Sequence, residues 1–197
     1  MTWKNRLELE SDIVRHLDTG DLSGAACAIL GGYGVEILAY LAAVTRNETV
    51  ADDVFSAFSE DLWRGLPRFR RESSVRTWLY HLAWHALLRH RDDAFARRRA
   101  PLPPDIEGVA QDIRSRTASF LRTEVKDAVS RLREQLDPRE QTLLILRVDR
   151  GLSWHEVAEV LSTPAAPVNE ALLAKRFERI KAKLRLLAEE AGLLRRE

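Results

Sequence analysis

Apolar side chains in this chain of 197 residues recur at steps of three and four, and no stretch alternates with the period of two that a half-buried strand requires. Val50, Val54, Phe55, Phe58 and Leu62 form one stripe, with Asp52, Asp53, Ser56, Ser59 and Glu60 facing away from it. Val75, Trp78, Leu79, Leu82 and Ala86 form a second stripe. Leu173, Phe177, Ile180, Leu184 and Leu187, spaced 4, 3, 4 and 3, form a third. The reading is an all-α chain.

Helix starts and stops are written most plainly in the second half. Asp137-Pro138-Arg139-Glu140 combines an N-cap acid, a proline at the first helical position and a glutamate three residues after the cap. Leu143, Leu144, Leu146 and Val148 follow, and Gly151 stands where a C-terminal glycine belongs. Ser153-Trp154-His155-Glu156 repeats the capping-box spacing and opens a short helix to about Leu161. Thr163-Pro164-Ala165-Ala166-Pro167 reads as a turn, and a long basic helix is expected from about Val168 to Glu190. In the first half, Gly31, Gly32 and Gly34 are expected to break the chain into a helical region over 7–30 and a second helix over 35–46. Pro101, Pro103 and Pro104 favour an extended path. The expected organisation is an N-terminal extension over 1–32, a helical domain over 33–93, a Pro/Arg-rich linker over 94–118 and a second helical domain over 119–197.

The net charge of +1 conceals sorted blocks. Residues 1–63 carry 4 Lys+Arg against 11 Asp+Glu, and residues 64–100 carry 10 Arg against 3 acids, with Phe69, Trp78, Tyr80 and Trp84 interleaved. Residues 101–174 return to a net of −3, and 175–197 swing to +4. Two basic zones on predicted helices point to a polyanion, nucleic acid above all. The short helix, turn and basic helix at the C-terminal end form a helix-turn-helix layout, in which the first helix braces a second that enters the major groove. The single Cys27 allows no intramolecular disulfide and no cysteine-based structural zinc site. The longest apolar run, around 37–44, is short for a membrane span. No membrane insertion is expected, and the start of the chain carries no signal-peptide run.

Two segments resemble a known family. Leu136-Asp137-Pro138, the aliphatic helix after it, and Gly151-Leu152-Ser153-Trp154-His155-Glu156-Val157-Ala158 through Leu161 resemble region 4 of the extracytoplasmic-function sigma factors of bacterial RNA polymerase. The turn of 162–172 is about five residues longer than the family's usual one and holds two prolines. Upstream, 51–63 is similar to the region 2 helix of the same family, and 69–89 to the loop and helix that open the minus-ten element. Trp84-His85 stands where the family usually has Arg-Asn, and Ser56 where it often has Gln.

The resemblance implies a sigma factor that binds core RNA polymerase, directs promoter recognition and promotes DNA opening in the cytoplasm. It also implies promoter DNA and an anti-sigma factor as partners. Lys175, Arg176, Arg179 and Lys183 fall on the segment that reads the minus-thirty-five element, and Asp52, Asp53, Ser56 and Glu60 on the polymerase-docking face. Arg70, Arg71, Ser73, Ser74, Arg76, Thr77, Tyr80, Trp84 and His85 fall on the single-strand minus-ten site. The residue chemistry agrees, since capturing an extruded base takes a polar loop, flat side chains and arginine. Tyr80 and Trp84 are expected opposite the core stripe of their helix, and Trp78 within it. The alternative is a helix-turn-helix regulator that binds duplex DNA without polymerase.

Enzyme signatures are missing. His81 and His85 stand four apart, as on zinc-binding helices, but without the accompanying His-Glu-x-x-His pattern or a third ligand. Gly31-Gly32-Tyr33-Gly34 has no strand before it, as a dinucleotide loop would require. No catalysis, metal or cofactor is expected.

Overall fold

The computed structural model describes residues 5–92, 101–123, 128–163 and 166–194. Within these the chain is all helix, apart from an isolated antiparallel bridge between Thr163 and Ala166. It divides into two compact units, Met1–Thr123 and Glu124–Glu197.

The first unit is built round α2. Helix α1 (Arg6–Asp18) is capped by the Asn5 side chain and followed by Gly20 at φ +72°, where a left-handed backbone turns the chain. Asp21 then caps α2 (Leu22–Thr45), its carboxylate accepting from the Gly24 N–H. The glycines expected to interrupt this helix lie inside it. The physical reason is packing: a Cβ at Gly32 would fall within the Leu9 side chain of α1, and one at Gly34 within that of Ile113. They are notches, not breaks. Helix α2 is long and apolar enough to cross a membrane by composition, but α1, α3 (Glu48–Gly65), α4 (Val75–Asp92) and α5 (Pro104–Thr123) all pack against it. Ile29, Leu30, Ile37, Leu38 and Leu41 are fully buried there.

Helix α5 departs from the expected linker. Residues 94–100 of that linker lie outside the described residues, but 104–118 is helical and belongs to the first unit. Pro104 occupies the first helical position, where the missing N–H costs no hydrogen bond. Ile106, Ala110, Ile113 and Thr117 then repeat at 4, 3 and 4 and are buried.

In the second unit α6 (Ala128–Arg133), α7 (Pro138–Leu144) and α8 (Trp154–Leu161) surround α9 (Glu170–Glu190). Both capping boxes form as read from the sequence. Asp137 accepts from Glu140 N–H while Glu140 accepts from Asp137 N–H, and Ser153 and Glu156 do the same. Helix α7 runs into a π turn over Ile145–Asp149, and Gly151 at φ +68° releases the chain toward α8. The turn after α8 is closed by the Thr163–Ala166 bridge, and residues 164–165 lie outside the described residues. Asn169 caps α9 through the N–H groups of Ala171 and Leu172, so the basic helix starts at Glu170.

Candidate nucleic-acid and polymerase interfaces

The loop before α4 and the first turns of that helix hold the nine residues expected to handle single-stranded DNA, and they separate into two groups. The Arg70 side chain is 81% exposed and lies 3.9 Å from Glu72. Arg71 sits at φ +60° and donates from Nη2 to Asp18 at 2.6 Å, which ties the loop to α1. Ser74 caps α4, its Oγ 3.0 Å from Thr77 N and 2.8 Å from Thr77 Oγ1. Arg70, Arg71 and Ser74 lie at the surface, and Ser73 and His85 are half-buried, the His85 ring 4.2 Å from that of His81.

Thr77, Tyr80 and Trp84 are interior, which corrects the expectation of an exposed aromatic face. Tyr80 is fully buried, packs edge-on against Tyr40 at 5.3 Å, and donates its hydroxyl to Glu36 at 2.8 Å. Trp84 is 3% exposed, and its indole N–H has no hydrogen-bond partner among the described residues. Arg76 is also turned inward, onto Glu36. The cause is that α4 lies against both α2 and α3, so it buries more than the single stripe its periodicity suggests. The aromatic pair nearest the loop is a different one: Phe69 stacks on Trp78 at 4.5 Å and 24°, both rings half-buried, with Trp78 3.1 Å from where a Cβ would stand on Gly65.

On α3 the acidic face is present but not open. Asp52, Asp53, Ser56 and Glu60 line a cleft of about 650 Å³ whose other wall is α5, through Glu107, Gln111, Arg114 and Ser115. Arg114 donates to Ser56 Oγ at 3.1 Å, to Glu107 Oε1 at 2.6 Å and to Gln111 Oε1 at 2.7 Å. Burial pushes the Asp52 carboxyl above the usual carboxylate range, with Arg114 acting in the opposite sense. Glu60 is 8% exposed and lies 3.4 Å from Arg64. Reading the sequence missed the α5 wall, although the 4, 3, 4 spacing of Ile106, Ala110, Ile113 and Thr117 carries its signal.

In the second unit the basic helix α9 is braced from the side. Trp154 of α8 meets Phe177 edge-on at 5.5 Å, and Arg147, held by the Leu152 carbonyl at 2.7 Å, lies 4.8 Å over the Trp154 ring. Leu173 and Ile180 anchor α9 in the core. Lys175, Arg176 and Arg179 stand exposed on one side, with no ion pair among the described residues. Lys183, expected beside them, is turned to the scaffold, its Nζ 2.7 Å from Glu140 Oε2. Among the described residues no group of three or more His, Cys, Asp or Glu is placed to hold a metal ion.

Comparison with known proteins bears on the family of this fold. Residues 32–95 match the family model for sigma-70 region 2. The chain is 29% identical over 194 residues to the RNA polymerase sigma-H factor of Pseudomonas aeruginosa, covering 93% of this chain and 98% of that protein. It is 33% identical over 150 residues to the sigma factor YlaC of Bacillus subtilis, covering 74% and 84%. It is also 27% identical over 137 residues to the extracytoplasmic-function sigma-E factor of Escherichia coli, covering 64% and 70%. A region 2 bundle followed by a helix-turn-helix unit is the build of an RNA polymerase sigma factor. The chain belongs to the extracytoplasmic-function subfamily of those factors. It serves transcription initiation, with core RNA polymerase and promoter DNA as partners, and a duplex-binding regulator acting without polymerase is not favoured.

Proposed function

We propose how the residues divide this work. Lys175, Arg176 and Arg179 of α9 contact the upstream promoter element, arginine supplying bidentate bonds to guanine and lysine mainly phosphate charge. The loop of Arg70, Ser73 and Ser74, with His85 and the half-buried Phe69–Trp78 stack beside it, holds bases extruded from the minus-ten element. The α3 face of Asp52, Asp53, Ser56 and Glu60 receives core polymerase. The observation that carries the division is the different state of the cations: Lys175, Arg176 and Arg179 of α9 and Arg70 of the loop reach solvent, whereas Arg76 is turned inward onto Glu36 and Lys183 is paired with the partly exposed Glu140.

The chain is a non-catalytic subunit on this reading, acting in the cytoplasm, and opening needs no covalent chemistry. Extruded bases are held by the loop, offsetting unstacking costs of a few kcal/mol per step. The test is reconstitution with core polymerase on a responsive promoter. Arg70→Ala is expected to reduce permanganate-reactive thymines in the open region while binding of the closed complex is retained. Equal loss of both steps would remove the loop from opening.

A further inference from the structure

The α3 face assigned above to polymerase is already in contact with a helix of the same chain. Ser56 accepts a hydrogen bond from Arg114, and Asp52 is partly desolvated beside that guanidinium. Arg114 itself is only 13% exposed at its side chain, enclosed between Ser56 on α3 and Glu107 and Gln111 on its own helix. It brings to an acidic surface the cation that a docking partner would otherwise bring.

The rest of α5 holds that arginine in place. Ile106, Ala110 and Ile113 are buried along the helix, with Ile113 seated on the Gly34 notch of α2. At the N-terminal end the Ser23 hydroxyl of α2 bonds Asp105. Helix α5 packs mainly on α2, whereas among the described residues its hydrogen bond to α3 is the one from Arg114 to Ser56. The hold of α5 on the α3 face is thus light and polar, and such a contact is suited to displacement by a larger interface.

We propose that α5 is a strap that occupies the polymerase-docking face of α3 in the free protein and must shift from it when polymerase binds. The proposal rests on the assignment of that face to polymerase. While the strap is seated only the open fraction of molecules can bind, so apparent affinity falls by that fraction.

A reversible lock tests this in the full chain. With Cys27→Ser as background, Gly34→Cys and Ile113→Cys place two thiols where α5 touches α2, and binding to core polymerase is titrated by fluorescence anisotropy with and without reductant. The oxidised form is expected to bind about tenfold more weakly than the same protein reduced. In the otherwise native chain, Arg114→Ala is expected to tighten binding about threefold or more by freeing the face. Equal binding of the oxidised and reduced forms overturns the strap, as does weaker binding by Arg114→Ala. If the disulfide does not form, Arg114→Ala decides alone, tighter binding supporting the strap and equal or weaker binding overturning it. Asp53→Lys separates the two levels: if it abolishes binding while oxidised and reduced forms bind alike, the docking face stands and the strap falls. If Asp53→Lys binds like wild type, the docking face itself is wrong and the strap falls with it.

Discussion

Arg76 of α4 places Nη2 at 2.6 Å and Nε at 2.7 Å from a single carboxylate oxygen of Glu36 on α2, and the Tyr80 hydroxyl donates to that same oxygen at 2.8 Å. One carboxylate thus joins two helices through three donors. The Arg76 side chain is 12% exposed, so removing its partner leaves a poorly hydrated charge. Glu36→Gln is expected to destabilise the first unit by about 2 kcal/mol. Urea unfolding followed by circular dichroism checks this, and Arg76→Ala should lower the same transition while leaving the salt dependence of duplex binding unchanged.

Trp84 gives the sharpest contrast between a core residue and a stacking residue. Trp84→Ala is expected to cost about 3–5 kcal/mol as a large core truncation. Trp84→Leu keeps an apolar side chain without a flat ring, and the indole N–H it removes has no partner among the described residues. It should cost about 2 kcal/mol and leave promoter opening intact at temperatures where the fold persists. Permanganate footprinting of the open region decides, because a base-stacking Trp84 would lose opening in the leucine variant.

Arg179 and Lys183 stand one turn apart on α9 and should behave differently. Arg179→Ala is expected to weaken binding to the upstream element and to reduce the slope of log K against log salt by about one. Lys183→Ala removes the ion pair to Glu140, so it should leave that slope unchanged and cost about 1 kcal/mol or less, the pair being partly exposed. Salt titrations of the two variants on one duplex, with thermal unfolding alongside, distinguish them.

Asp52 predicts a pH dependence. Its carboxyl is held above the ordinary range by burial, which disfavours the ionised form in the folded chain. The unfavourable contribution is present above the folded value and disappears as pH falls below the unfolded one. Asp52→Asn should therefore raise the melting temperature at pH 7, with the gain shrinking as pH drops toward about 4. Melting curves of both proteins across that range are the measurement.

Local features were legible in the sequence and long-range ones were not. The capping boxes at Asp137 and Ser153 close over three residues, so neighbouring letters suffice to read them. Helix α5 was hidden by Pro101, Pro103 and Pro104, which suggest an extended chain although the last of them starts the helix. Gly32 and Gly34 look like a break until Leu9 and Ile113 are seen filling the space they leave. Tyr80 and Trp84 fall off the main stripe of α4, and only the presence of both α2 and α3 explains their burial. Lys183 resembles its basic neighbours because Glu140 lies 43 residues away in sequence.

The family match closes at residue 95, whereas the structural unit runs to Thr123. A fragment of the unit that keeps α1 and α2 but ends at residue 95 would strip α2 of the helix seated on Gly34, and α2 is the one described helix apolar enough to pass for a membrane span. Such a truncated domain should be sticky, self-associating or binding detergent, whereas one carried through residue 123 keeps its cover. The cover of α2 thus extends into a segment that lies beyond the region 2 match.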